Sequence, residues 1–190
     1  MLDTFYAVKI NTTQTFDSKG KRLAITRLKA SPLTVAQVKT KAKDGYHALK
    51  CSFPKTLKKS YLKEIILADL PTQKTGDTIK VADIFKPGDS LKASGLSIGR
   101  GFSGAMKRHG FHGGPKTHGQ SDRQRSPGSI GMRTTPGRVW KGHRMAGHYG
   151  HETKTIMNLL VFNIDEAKSI LTVIGTVPGS RNTLIKLCLN

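Results

Sequence analysis

The chain has 190 residues, with 32 Lys and Arg against 12 Asp and Glu, a formal charge of +20. So large an excess repels itself and wants a polyanionic partner, nucleic acid before others. The two cysteines, Cys51 and Cys188, exclude a disulfide framework or a cysteine metal site, and no run approaches the about 18 apolar residues that span a membrane.

In chain order, residues 6–10 (YAVKI), 23–28 (LAITRL), 33–40 (LTVAQVKT) and 47–53 (HALKCSF) are short and rich in β-formers, and their partial alternation predicts strands. Asp17-Ser18-Lys19-Gly20 and Lys43-Asp44-Gly45 supply turn chemistry between them. Residues 59–68 (KSYLKEIILA) predict a helix, capped by Ser60 and followed by Pro71, inside a basic, partly irregular segment at about 54–76. Residues 19–63 carry 13 Lys or Arg and one acid, Asp44, a run expected to touch RNA. Later, 156–164 (IMNLLVFNI), 170–177 (ILTVIGTV) and 183–189 (TLIKLCL) read as strands, with a hairpin at Asp165–Ser169 and a turn at Pro178-Gly179. Six or seven such strands suggest a mainly β protein, a small antiparallel barrel or sandwich. Residues 1–94 and 152–190 form its two parts, and 95–151 are inserted between them. No secretory signal is visible at the start, and the thiols are expected to be reduced and buried in strands, as in an intracellular protein.

The insertion is chemically unlike its flanks. Residues 95–151 hold 14 of the 20 glycines, 6 of the 7 histidines, 10 Lys or Arg and one acid, Asp122. Only six of its residues are Leu, Ile, Val or Phe. That is too little apolar side chain to offset the entropy of ordering the segment, which is expected to be an extended arm shaped by its partner.

The motifs in the arm do not add up to catalysis. Residues 99–104 (GRGFSG) match G-x-G-x-x-G, but the glycines and Pro115 that follow leave no room for a packing helix, so close backbone approach is the better reading. His109 and His112, and His148 and His151, are spaced three apart, yet too few carboxylates and no cysteine accompany them for a metal site. No serine has an orienting acid beyond Asp122. No catalytic residue, metal or cofactor is therefore expected. The arm instead offers phosphate ligands at Arg100, Lys107, Arg108, Lys116, Arg123, Arg125, Arg133, Arg138, Lys141 and Arg144. His109, His112, His118, His143, His148 and Trp140 could stack on bases or bond phosphate, as could the interleaved Phe102, Phe111 and Tyr149. The alternative for each aromatic is a small satellite core.

Three stretches, RGFSGAMKRHGFHGGPKTHG (100–119), RSPGSIG (125–131) and TPGRVWKGHRMAGHYG (135–150), resemble the bacterial-type family of large-subunit ribosomal protein three. Residues 15–50 and 157–180 are similar to it as well, so the resemblance covers nearly the whole chain. It implies a translation-protein-type β-barrel with a long arm. It also implies direct binding to large-subunit ribosomal RNA, a part in early subunit assembly, and large-subunit proteins fourteen and nineteen as neighbours. By motif, the arm tip near the peptidyl transferase centre falls at Ser129, Ile130, Gly131, Met132, Arg133, Thr134, Thr135 and Pro136. Thr134 stands where many family members carry a methylated glutamine. The expected location is the ribosome, in the cytoplasm, with an organellar ribosome as the alternative. Two other readings of the residues are a free RNA chaperone and an RNA-modifying enzyme with a basic guide arm. Stable, stoichiometric residence in salt-washed subunits separates the first from a ribosomal protein, and a cofactor requirement would mark the second.

Overall fold

A computed structural model describes residues 2–56 and 59–190. The chain divides into two compact units, one made of 1–97 with 153–190 and the other of 98–152.

The first unit is built on β strands, as the alternation predicts. β1 (Thr4–Phe16) and β2 (Arg22–Lys29) are joined by the expected turn, where Gly20 at φ +73° donates its N–H to the Asp17 carbonyl at 2.8 Å. β1 is more than twice the predicted length. A bulge between Lys9 and Asn11 lets its first half pair with a distant strand and its second half with β2. β3 (Leu33–Lys39) leads through a single helical turn, α1 (Lys41–Asp44), to β4 (His47–Thr56), with Gly45 ending the turn in the left-handed region.

The helix predicted at 59–68 is a strand, β5 (Lys59–Leu67), antiparallel to β4 from His47↔Leu67 to Thr56↔Lys59. The spacing of Tyr61 and Ile65 suits one face of a strand as well as a helical turn, so periodicity could not decide. Tertiary packing does: Ile65 is fully buried, and the Tyr61 ring lies 5.1 Å from that of Phe53, which stacks on Tyr6 at 6.0 Å. Residues 57 and 58 of the expected irregular segment lie outside the described residues.

β6 (Thr78–Ile79) pairs with β3, giving a sheet of order β5-β4-β3-β6. β7 (Ser90–Leu96), not predicted, precedes the second unit; its inward positions are Leu91, Ala93 and Gly95, too small on average to stand out as a hydrophobic strand. The second unit contributes β8 (Phe102–Ser103), α2 (Ala105–His109) and β9 (Gly147–His148). After it come β10 (Thr153–Asp165), β11 (Ile170–Ile174) and β12 (Leu184–Leu189), all anticipated. β10 and β11 form the expected hairpin, with Ser169 at φ +51°.

Six strands close a barrel in the order β1-β12-β7-β10-β11-β2. Its core packs Phe5, Leu28, Leu91, Leu171, Val173, Ile185 and Leu187, with Phe85 edge-on to Phe5 at 6.4 Å between centroids. Cys51 is buried in β4 and Cys188 half-buried in β12, both as free thiols. Leu96 on β7 pairs with Thr153 on β10, so the segment between them leaves and re-enters at facing positions.

Candidate nucleic-acid interface

Residues 98–152 have almost no interior. Only Ser103 and Ala105 are buried. The unit is held instead by backbone and by close approaches at glycine. At its base, Arg100 N–H donates to the Tyr149 carbonyl at 2.8 Å and Tyr149 N–H to the Gly101 carbonyl at 3.0 Å, continuing into the β8–β9 pair. A side chain on Gly150, at φ +77°, would run into the Ile98 carbonyl. The G-x-G-x-x-G stretch thus follows β7, carries the short strand β8 within it and leads into α2. α2, which the glycine content was expected to forbid, forms for five residues, buries Ala105 and stops at left-handed Gly110.

A second set of bonds draws distant parts of the unit together. Arg108 Nη1 donates to the Met145 carbonyl at 2.9 Å, and His109 Nε2 meets the same oxygen at 3.0 Å. Gly147 has the space Arg108 needs: a Cβ there would lie 2.5 Å from Nη1. Gly114 N–H is shared between the carbonyls of Arg123 (3.2 Å) and Gln124 (3.0 Å). A Cβ on Gly113 would collide with the Gln124 carbonyl, and one on Gly114 would lie 2.8 Å from the Arg123 carbonyl. The glycine pair is therefore where two backbones touch.

These contacts open a cleft of about 640 Å³ lined by residues 109–114, Arg123, residues 126–128 and Arg144. It collects five of the residues expected to bind RNA: His109, Phe111, His112, Arg123 and Arg144. The others lie outside its lining. Arg100 sits over the Tyr149 ring at 4.9 Å and His148 is edge-on to Phe102 at 6.1 Å. Arg138 covers Trp140 at 5.6 Å from the ring centroid. Lys107, Lys116, His118, Arg125, Arg133, Lys141 and His143 are exposed. Among the ten Lys and Arg, only Arg108 is partly buried, and among the described residues none of the ten forms an ion pair with a carboxylate. That leaves a concentrated, uncompensated positive field over a surface with little else.

The aromatics do not make a satellite core. Phe102 and Trp140 are exposed, and Phe111 is half-buried, its ring 5.9 Å from that of His109 and tilted 40°. The cleft itself was missed in the sequence. Gly113-Gly114 was the only signal, and it did not name its partner carbonyls at 123–124. At the expected tip, Ser129 Oγ donates to the Gly131 carbonyl at 3.3 Å, and Ile130 and Met132 are exposed. Gly137 approaches the Thr134 carbonyl, and the Thr135–Pro136 peptide is cis.

The family model described as Ribosomal protein L3 matches residues 63–172, a span that runs from the middle of β5 into β11 and includes the whole second unit. The large ribosomal subunit protein uL3 of Dehalococcoides mccartyi strain BAV1 is 45% identical over 97% of both chains. That of Herpetosiphon aurantiacus is 44% identical over 97% of this chain and 95% of its own. The chain belongs to the ribosomal protein L3 family. The uL3 protein of the more distant Brachyspira hyodysenteriae still shares 40% identity over 94% of this chain and 90% of its own. The L3 relationship therefore extends through β1–β4 as well, ahead of the stretch that the family model matches. The cleft and every arm position expected to bind RNA fall inside the matched L3 span.

Proposed function

We propose that this chain is a structural constituent of the large ribosomal subunit that binds its ribosomal RNA directly. The observation that carries the reading is the second unit: ten cationic side chains, none paired with a carboxylate among the described residues, on a segment with two buried residues. Such a surface is a poor folding unit alone and a good counterion for phosphate. Arg side chains, seven of the ten, add bidentate geometry and planar faces for bases. Membership in a family whose relatives carry the name of a large-subunit protein supports large-subunit ribosomal RNA as the partner.

On this reading the barrel is the stable head and docks on folded RNA, helped by the basic run at 19–63. Residues 95–151 are the RNA-binding arm. They neutralise phosphates where RNA helices converge, which aids early assembly. The segment Ser129–Pro136 supports the peptidyl transferase centre without doing chemistry, and large-subunit proteins fourteen and nineteen are neighbours. The protein is not an enzyme and works in the ribosome, in the cytoplasm.

Deleting residues 120–140 tests this. The barrel should stay folded by circular dichroism, while large subunits carrying the truncated chain assemble poorly or transfer peptides slowly. Subunits that sediment and work normally without that stretch would refute the role given to the arm.

A further inference from the structure

We propose that the cleft in the second unit receives one unstacked RNA nucleotide, its base against Phe111 and its phosphate toward Arg123 and Arg144. This rests on the RNA-binding reading above and adds what is recognised there.

The cleft is formed by the protein's own bonds. The shared Gly114 N–H and the bare Cα atoms of Gly113 and Gly114 hold residues 110–114 against the Arg123 and Gln124 carbonyls. At about 640 Å³ it falls within the range of roughly 300–1,000 Å³ typical of sites for small ligands. A duplex keeps its bases stacked and shows only its outer surface, so only a base released from the stack could enter.

The lining suits that guest. Phe111 lines the cleft half-buried and is its aromatic ring for stacking, with the His109 ring beside it, 5.9 Å between centroids. His109 is itself anchored: the Met145 carbonyl only accepts, so Nε2 carries the proton that bonds it. In the neutral ring Nδ1 is then left as an acceptor, able to take a hydrogen bond from a base amine or a ribose hydroxyl. Arg123 and Arg144 are exposed cations without a carboxylate partner among the described residues, as a phosphate ligand must be. No Asp or Glu lines the cleft, which argues against a metal cation as the guest.

The test uses the full chain and fluorescence anisotropy with three hairpin RNAs of one stem sequence: fully paired, with one bulged adenosine, and with an abasic residue at the bulge. The bulged adenosine should bind about 5- to 150-fold tighter than the other two, the range that stacking one base on an aromatic provides. Phe111→Leu should abolish that preference and Phe111→Tyr keep it. Three equal affinities, or a preference that survives Phe111→Leu, would overturn the proposal while salt-sensitive binding to all three RNAs left the general reading intact. Absence of binding to any of them would overturn both. Adenosine monophosphate competing as well as the bulged hairpin would make the cleft a soluble-nucleotide site and overturn the RNA assignment.

Discussion

Gly95 lies on β7 opposite Ile185 of β12, inside the barrel wall. An alanine Cβ there would sit 2.5 Å from Ile185 Cδ1, and 3.6 Å from both the Leu184 carbonyl oxygen and Pro178 Cβ. Two carbons pack best at roughly 3.5–4.0 Å, so the Ile185 methyl must retreat by about 1 Å or more into a core that has no slack. Overpacking of this kind costs about 1–3 kcal/mol, and the lower unfolded-state entropy of alanine offsets about 0.4–1 kcal/mol of it. Gly95→Ala should therefore destabilise the protein by about 0.5–2 kcal/mol, which at about 2–4 °C per kcal/mol lowers Tm by roughly 1–8 °C. The offending atom can be removed separately. Ile185→Val deletes Cδ1 and alone costs about 0.5–1.5 kcal/mol. In the double variant the collision is gone, so its loss should fall short of the sum of the two single losses by about 1–2 kcal/mol. Urea and thermal unfolding followed by circular dichroism measure all three. A neutral Gly95→Ala, or strictly additive losses, would show that the contact with Ile185 is not what keeps glycine at this position.

Three further outcomes are expected. Removing Arg125 and Arg133 together (both to Ala) should flatten the log K against log salt plot for RNA binding by about 1.4–1.8, at roughly 0.7–0.9 per phosphate contact; an unchanged slope would mean neither touches phosphate. Burial pushes the Cys51 thiol up to about 11, so an aromatic disulfide reagent at pH 8 should reach it only as the fold opens. Labelling of Cys51 in the native protein as fast as in urea would contradict its burial. The hydrogen bond from Lys39, and then that from Tyr46, hold the Glu64 carboxyl below its ordinary value. A depressed carboxylate gives stability that is present above its unfolded pKa and lost as pH falls through its folded one. Below about pH 4.3, the ordinary Glu value, wild type should therefore lose stability more steeply than Glu64→Gln, as urea midpoints across pH 3–7 would report; parallel curves would rule out a contribution from this carboxylate.

Much of the barrel was legible because its strands alternate and its turns are explicit. Asp17–Gly20 and Asp165–Ser169 announced hairpins that the structure contains. Two of the strands longer than two residues were not legible, for different reasons. β5 carries Tyr61 and Ile65 at a spacing that a helix and a strand share, and only its pairing with β4 chooses between them. β7 turns Ala93 and Gly95 inward, so it lacks the bulk by which buried strands are recognised. Gly95 is small because Ile185 fills its place, information held in β12 and not in β7.

The candidate site divides in the same way. Its chemistry was plain from composition: arginine-rich, glycine-rich and nearly without acids. Its geometry was not. The sequence predicts an arm with no order of its own, whereas β8, α2, β9 and the crossing at Gly113–Gly114 give it a shape from hydrogen bonds rather than from a core. Carbonyls at Arg123, Gln124 and Met145 do the holding, and a backbone oxygen leaves no trace in the identity of its residue.

β12 follows every strand it joins, yet it is the piece that fits between β1 and β7. On a translating ribosome the wall must stay ajar until Leu184–Leu189 has been made. At about 5–20 residues per second, roughly 4–18 s pass between the appearance of Leu96 and that of Leu184. By the end of that interval the cationic segment is already made, attached to a head that has not yet shut. A nascent copy thus meets surrounding polyanions with its charge before it has its final form, and whatever shields those charges early also guards the two open strand edges from pairing with the wrong chain.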